Sequence, residues 1–202
     1  IQAIRLDGIA GARADGIGKL SQAGISPPVI GVSPGAAYGN AKRWLPERFA
    51  AAASAVAREH GAAVALFGSA GERELCGKVA REIEAAGVVT RNFAGETTLA
   101  EFVDLAAACR LFLTNDSGAM HIASALGIPT VAVFGATDHV TTGPTGPSAR
   151  VVREQVECSP CLLRECPIDH RCMTRVSVDQ VSVLALELWR DSEAEWIPET
   201  RS

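Results

Sequence analysis

Apolar residues follow two alternating patterns along the chain. Short continuous apolar runs are separated by longer segments in which apolar residues recur every three or four positions. The short runs predict strands that are buried on both faces, and the longer segments predict amphipathic helices. The predicted strands span residues 29–33, 63–67, 88–93, 111–114, 130–134 and 150–153.

The helical segments have recognisable ends. Pro46 begins one and Gly61 ends it, and Thr98 begins another as a cap, with Leu99 and Phe102 on its apolar stripe. The predicted helices span about 46–60, 75–86, 99–106, 117–126 and 178–190. Strands that alternate with helices predict an α/β fold, a mainly parallel sheet with helices on both faces.

The first 28 residues differ from this pattern. They are rich in Gly and Ala and end in Ser26-Pro27-Pro28, which predicts a linker, a loose helix or the remnant of a preceding domain. We expect one ligand-binding domain over residues 29–202, including a Cys-rich segment at 158–172. The chain does not begin with Met, which suggests a fragment or a processed chain.

Composition narrows the class of protein. The 202 residues are 48% hydrophobic and 21% charged, a balance typical of a folded domain rather than a disordered chain. A net charge of −4 without a basic run does not favour binding to nucleic acid or to an anionic membrane. The sequence shows neither an apolar stretch of spanning length nor a secretory signal, so we expect a cytoplasmic protein.

The loop after the first strand is a candidate anion site, because ligands of such sheets bind beyond the carboxyl ends of the strands. Gly35, Ala36 and Ala37 are small enough for backbone N–H groups to approach a ligand. Lys42 brings positive charge to the same rim. The alternative is a solvated Lys-Arg pair beside a packed tryptophan.

The loop after the fourth strand leads directly into a helix. Free N–H groups near Gly118 and Ala119, together with the helix dipole, predict a phosphate-binding end. The structural alternative is an ordinary cap, because Asn115, Asp116 and Ser117 are all favoured at that position.

Other polar residues are expected at the same edge of the sheet. A carboxylate repels phosphate, so Asp116 is expected to accept hydrogen bonds from sugar hydroxyls, and Glu72 to accept them from a ribose. Ser69 and Glu72 also fit a capping box that requires no ligand. His121 is expected to pack behind the site or in the core, and the loop at 135–144 to line a sugar site.

Several common sites are missing from the sequence. It contains no Walker loop, no complete dinucleotide fingerprint following a strand, and no Asp-x-Asp pair for a divalent metal on a pyrophosphate. We therefore predict no cofactor. The missing motifs also argue against hydride transfer and ATP hydrolysis.

Four cysteines form a cluster. Cys158, Cys161, Cys166 and Cys172 are spaced Cys-x2-Cys-x4-Cys-x5-Cys, with His170 nearby. This set could hold zinc, although the second pair lacks the compact spacing of structural zinc sites. Reduced structural thiols are the preferred prediction.

Three motifs occur together in order: residues 34–44, residues 114–121 and residues 158–173. With them the chain resembles the ADP-heptose:lipopolysaccharide heptosyltransferase family, from about Val29 onward. The resemblance implies the C-terminal, donor-binding half of a GT-B glycosyltransferase with a Rossmann-like sheet. Such an enzyme moves heptose from ADP-L-glycero-D-manno-heptose to the inner core of lipopolysaccharide with inversion.

The resemblance also implies residue roles. Lys42 falls where the family holds the donor phosphates, Glu72 where it holds the ribose, and Asp116 where it contacts the heptose. Lys42 and Asp116 are accordingly the predicted catalytic residues. The predicted donor site comprises Gly35, Ala36, Ala37, Lys42, Glu72, Asp116, Ser117, Gly118, Ala119 and His121.

The implied general base is an aspartate of the N-terminal half, which has no counterpart here, so the isolated chain is expected to be inactive. The lipopolysaccharide acceptor would bind through that half, with at most peripheral membrane association. Two alternatives stay open. One is a nucleotide-sugar epimerase using Asp116 and His121, and the other is a non-enzymatic metal or interaction module built on the cysteines.

Overall fold

The predicted strands form one six-stranded sheet in the computed structural model, which describes residues 4–193. Every neighbouring pair is parallel, and the strand order is β3-β2-β1-β4-β5-β6. The strands are β1 (Val29–Ser33), β2 (Ala63–Leu66), β3 (Thr90–Asn92), β4 (Leu111–Asn115), β5 (Thr130–Phe134) and β6 (Ala149–Arg153). The order reverses between β1 and β4, which opens a crevice at their carboxyl ends.

Helices cover both faces of this sheet. The helices are α1 (Ile9–Gln22), α2 (Pro46–His60), α3 (Arg73–Ala85), α4 (Leu99–Ala107), α5 (Gly118–Ala125), α6 (His139–Thr142), α7 (Arg171–Thr174) and α8 (Val178–Asp191). Short 3-10 helices at Asn40–Lys42 and Ala70–Glu72 follow β1 and β2. The α/β fold with helices on both faces is therefore confirmed.

Each face of the sheet has its own apolar core. Ile30 and Val32 of β1 point into the core beneath α2, α3 and α8, whereas Val29 packs with α1 and α4 on the other face. All three side chains are fully buried. Burial on both faces explains why the strands appear in the sequence as continuous apolar runs.

The edge strand β3 is shorter than the sequence predicts. Only Thr90–Asn92 pair with β2, although the apolar run begins at Val88. Val89, directly before this edge strand, is 62% exposed.

The predicted linker contains a well-packed helix. Helix α1 lies against α4, with Leu20 fully buried and Gly16 so close that a Cβ there would meet the carbonyl oxygen of Asp104 at 2.0 Å. Lys19 forms an ion pair with Asp104 across the same contact. Glycine is thus required at position 16 for the close approach, although it weakens the helical pattern in the sequence. The domain boundary near residue 28 stays a prediction.

No helix within residues 4–193 is both long enough and apolar enough to cross a membrane.

Candidate functional site

A cleft of about 360 Å³ lies at the carboxyl edge of the sheet, where the strand order reverses. Its walls come from the loops that follow β1, β2 and β4 and from the start of α4. The lining residues are Ser33, Gly35, Ala36, Ala37, Phe67, Gly68, Ser69, Glu72, Thr97, Thr98, Leu99, Phe102, Ser117, Gly118 and Ala119. Seven of the ten predicted donor-site residues line this cleft; Lys42, Asp116 and His121 do not.

Trp44 and Asn115 fix the loop that follows β1. The backbone N–H of Trp44 donates to the side-chain oxygen of Asn115 at 2.9 Å, and the indole N–H donates to the carbonyl of Val176 at 3.1 Å. The amide nitrogen of Asn115 donates to the carbonyl of Pro34 at 2.8 Å. Asn115 therefore ties β4 to the β1 loop and does not cap α5, which corrects the capping alternative for this residue.

The first turn of α5 has no side-chain cap. Ser117 stands at the capping position, but its hydroxyl lies 3.2 Å from the hydroxyl of Thr114 and bonds no N–H of the helix. Gly118 and Ala119 line the cleft. Because the first N–H groups of a helix have no partner within it, this uncapped end can receive an anion.

Lys42 and Asp116 form a buried ion pair beside the cleft. The Lys42 Nζ lies 2.6 Å from Asp116 Oδ2, and the two side chains are 13% and 6% exposed. The hydroxyl of Thr137, in the loop after β5, donates to the same carboxylate oxygen at 2.5 Å. Asp116 directly precedes Ser117, so this pair adjoins the uncapped end of α5.

Glu72 forms a capping box and also lines the cleft. Its Oε2 accepts hydrogen bonds from the backbone N–H and the hydroxyl of Ser69, both at 2.9 Å. Its Oε1 lies against Gly35, where a Cβ would approach it to 2.0 Å. Arg43 adds a distant positive charge at 3.9 Å. Glu72 therefore closes the capping box and lines the cleft at the same time.

His121 departs from the prediction. It is exposed, and α5 turns Met120 and Ala123 toward the protein interior instead. A helix advances about 100° per residue, so the position after Met120 faces away from that buried side. His121 is therefore neither a core histidine nor part of the cleft wall.

The four clustered cysteines are free thiols. Within residues 4–193, no three His, Cys, Asp or Glu side chains are grouped so that they could hold a metal ion. Burial, and next the neighbouring thiols, raise the pKa of Cys172 to about 11. The zinc alternative therefore finds no assembled site in the part of the chain that the structure describes.

The Cys-rich segment connects two loops of the site, and we call residues 158–172 the strap. The carbonyl of Leu162 accepts from the Tyr38 hydroxyl at 2.9 Å, and the carbonyl of Arg164 accepts from the Ala41 N–H at 3.0 Å. On the other side, the Ser159 hydroxyl donates to the carbonyl of Gly135 at 2.6 Å. The strap thus holds both the loop that carries Lys42 and the loop that carries Thr137.

A second cavity, of about 330 Å³, lies near the amino ends of β5 and β6. Arg5, Arg13 and Ile128 contribute to its wall. None of the predicted site residues lines it, so we assign the candidate site to the cleft at the carboxyl edge.

Comparison with known proteins identifies the family. The family model for glycosyltransferase family 9 (heptosyltransferase) matches residues 12–171. The chain belongs to glycosyltransferase family 9. This match includes most of α1 and all of the strap except Cys172.

Curated relatives agree with this family. The chain is 33% identical over 167 residues to lipooligosaccharide heptosyltransferase 2 of Campylobacter jejuni, covering 81% of this chain and 52% of the relative. It is 42% identical over 127 residues to lipopolysaccharide heptosyltransferase 2 of Escherichia coli, covering 62% of this chain and 36% of the relative. The chain therefore spans about half the length of the Campylobacter relative and less than half the length of the E. coli relative.

Solved structures of the family share the fold. The structure of E. coli ADP-heptose lps heptosyltransferase II superposes with a TM-score of 0.76 at 31% identity, covering 94% of this chain and 54% of that chain. A family 9 glycosyl transferase from Veillonella parvula gives a TM-score of 0.77 at 25% identity, covering 94% and 55%. The Rossmann-like sheet of family 9 is therefore confirmed for this chain.

Two features of the site were not found from the sequence. The apolar pattern predicts Leu99 on the buried stripe of α4, but the side chain is 69% exposed and lines the cleft with Phe102. The sequence places Thr137 in a loop that could line a sugar site but gives no sign of its bond to Asp116. One feature of the sequence indicates that Leu99 is exposed. It directly follows the Thr98 cap, so it lies in the first turn of α4, before the helix packs against the core.

Proposed function

We propose that this chain is the donor-binding part of a family 9 heptosyltransferase that takes an ADP-activated heptose and transfers it to the inner core of lipopolysaccharide. One observation carries the proposal. Lys42 converges with the uncapped first turn of α5, because its ammonium is 2.6 Å from Asp116, two residues before Gly118. A cation beside free helix N–H groups suits a diphosphate.

The diphosphate is the leaving group of this reaction. An acceptor hydroxyl attacks the anomeric carbon from the side opposite the diphosphate, and the bond between that carbon and the phosphate oxygen breaks with its electron pair on the oxygen. Lys42 and the N–H groups of Gly118 and Ala119 would stabilise the negative charge that develops there. The proton of the acceptor hydroxyl must go to a base that we assign to the other half of the enzyme.

The remaining walls suit the rest of a nucleotide sugar. Glu72 would accept hydrogen bonds from ribose hydroxyls through Oε1, because Oε2 is held by Ser69. Leu99 and Phe102 supply an apolar end for the base. Asp116 would accept hydrogen bonds from heptose hydroxyls, consistent with its position beside the diphosphate site.

Neither alternative function gains support. An epimerase would need Asp116 and His121 as an acid and base pair, but Asp116 is bonded to Lys42 and His121 is exposed outside the cleft wall. A metal module would need side chains placed to share one ion, and residues 4–193 contain no group of three His, Cys, Asp or Glu side chains that could hold one.

The partners and location follow as predictions. The acceptor would bind through the half that the longer relatives possess, and the 202-residue chain by itself should bind donor without turning it over. We predict a cytoplasmic protein, at most at the membrane surface, where a nucleotide sugar and a lipid-linked acceptor can meet.

Isothermal titration calorimetry tests the proposed site. The chain should bind ADP and ADP-heptose without added divalent metal and should bind UDP-sugars far more weakly. Lys42→Ala should weaken ADP binding by about tenfold or more, because a charge-assisted contact with the diphosphate is lost.

Lys78→Ala is the matched control. Lys78 is half exposed on α3, with Glu47 as a partner at 3.9 Å, so its loss should leave ADP affinity unchanged. Equal ADP affinity for wild type and Lys42→Ala, or wild-type binding that requires a metal ion, contradicts the proposal.

A further inference from the structure

Thr137 bonds the carboxylate at the centre of the candidate site. Asp116 follows β4, and Thr137 lies three residues beyond β5, the adjacent parallel strand, so both loops leave the same edge of the sheet. The Thr137 hydroxyl donates to Asp116 Oδ2 at 2.5 Å, and Thr137 itself is only partly exposed. The bond thus joins two separate loops of the site.

The two oxygens of Asp116 have different surroundings. Oδ2 accepts hydrogen bonds from both Lys42 Nζ and the Thr137 hydroxyl, whereas Oδ1 has no hydrogen-bond partner within residues 4–193. Oδ1 is not fully buried, so water can reach it. A carboxylate that uses one oxygen for the scaffold has the other free for a ligand hydroxyl.

One contact does not fix the plane of a carboxylate. The ammonium of Lys42 is a compact charge on a flexible stem, and it can follow the carboxylate as that group rotates. Thr137 is different, because its loop is fixed at the two preceding residues. The Ser159 hydroxyl donates to the carbonyl of Gly135 at 2.6 Å, and the Leu162 N–H donates to the carbonyl of Ala136 at 2.8 Å.

We propose that Thr137 is a positioning residue that holds Asp116 Oδ2, so that Oδ1 stays turned toward the hydroxyls of the donor sugar. This inference rests on the proposed function, and it separates two contributions to the binding of the donor. Lys42 serves the diphosphate, which ADP and ADP-heptose share, whereas Thr137 serves only the sugar. The role also explains why the strap bonds the loop after β5.

The test compares two ligands on two variants of the 202-residue chain. Thr137→Val keeps the branched shape and removes the hydroxyl, so ADP-heptose affinity should decrease by about tenfold while ADP affinity changes less than about twofold. Thr137→Ser keeps the hydroxyl and should restore ADP-heptose binding. Calorimetry gives the four variant affinities and the two wild-type values.

The outcomes separate the two proposals. Wild-type chain that binds neither ligand rejects the proposed function, and the role of Thr137 with it. Wild-type chain that binds both, with Thr137→Val affecting the two ligands equally or neither of them, rejects the positioning role alone. Thr137→Ser that fails to restore ADP-heptose binding also rejects that role, because a merely structural threonine requires its methyl group and not its hydroxyl.

Discussion

At the scale of single residues, the candidate site contains carboxylates that bond the scaffold with one oxygen and would contact the proposed ligand with the other. Glu72 closes a capping box with one oxygen and leaves the other at the cleft wall, against Gly35. Asp116 divides its oxygens in the same way. The stability of the loops and the binding of a ligand are therefore linked through the same carboxylates.

Gly35→Ala should disturb the cleft through Glu72. A Cβ at position 35 would lie 2.0 Å from Glu72 Oε1, so the carboxylate would have to move and the proposed contact with a ribose would be lost. ADP affinity should decrease by about tenfold, as for a lost hydrogen bond to a charged group, measured by calorimetry.

Gly71→Ala is the control for this substitution. Gly71 lies in the adjacent 3-10 helix, where a Cβ would meet only the Ser69 hydroxyl, at 3.9 Å. Its ADP affinity should match wild type. Weakening by Gly71→Ala as large as that by Gly35→Ala would contradict the explanation through Glu72.

Much of the site could be predicted from residue types and order along the chain. A lysine after one strand and a helix start after another lie at the same edge of the sheet if the two strands are parallel neighbours, as β1 and β4 are. The bond from Thr137 to Asp116 and the bridge through Asn115 could not be predicted. Both depend on side-chain directions in loops, which apolar periodicity does not encode.

At the scale of elements, the sequence predicts those strands and helices that have strong local patterns or caps. Strands buried on both faces and helices with clear caps appear within a few residues of their predicted positions, as α8 does at Val178–Asp191. The sequence predicts α1 at most as a loose helix, because Gly11, Gly16 and Gly18 interrupt its apolar pattern. Its packing against α4 requires Gly16, so the residue that obscures the signal is the one that permits the contact.

The capping box of α8 gives a test of element stability. The Ser177 hydroxyl accepts from the Gln180 N–H at 3.2 Å, and the Gln180 side chain accepts from the Ser177 N–H at 2.7 Å. Ser177→Ala should lower the free energy of unfolding by about 1 kcal/mol. Urea denaturation followed by circular dichroism measures this change.

Ser182→Ala on the same helix should have the opposite sign or no effect. The Ser182 hydroxyl is buried without a hydrogen-bond partner in the described part of the chain, and Ala is the better helix former. Equal destabilisation by Ser177→Ala and Ser182→Ala would show that the capping box is not the cause.

At the scale of the whole molecule, the strap joins distant parts of the fold. It bonds the loops that follow β1 and β5, and its cysteines differ in exposure. Cys172 is buried, whereas Cys158, Cys161 and Cys166 are partly exposed. Burial also raises the pKa of Cys76 on α3, to about 12.

Thiol alkylation at pH 8 should distinguish these cysteines. Cys158, Cys161 and Cys166 should react with iodoacetamide first, because only a reachable thiolate is nucleophilic. Cys76 and Cys172 should react slowly until the chain is unfolded in urea. Peptide mass spectrometry gives the order, and rapid labelling of Cys172 in the folded chain contradicts it.

The same two buried thiols predict a dependence of stability on pH. Unfolded thiols lose their protons near pH 9.0, whereas the folded pKa values are about 12 for Cys76 and about 11 for Cys172. Above pH 9 the folded state binds more protons, so the free energy of unfolding decreases as pH rises. Urea titrations at pH 8 and pH 10 measure this decrease, and Cys76→Ala should reduce it.

The strap also has a consequence for the order of folding. Tyr38 and Leu162 are 124 residues apart in sequence, and His170 and Ala41, whose ring nitrogen and carbonyl lie 3.1 Å apart, are 129 residues apart. Contacts that close such long loops form late, because the lost chain entropy has to be offset by structure already in place. We therefore expect a nascent chain to assemble its sheet well before Lys42 reaches its final position, so that a folding intermediate acquires shape first and affinity for the nucleotide last.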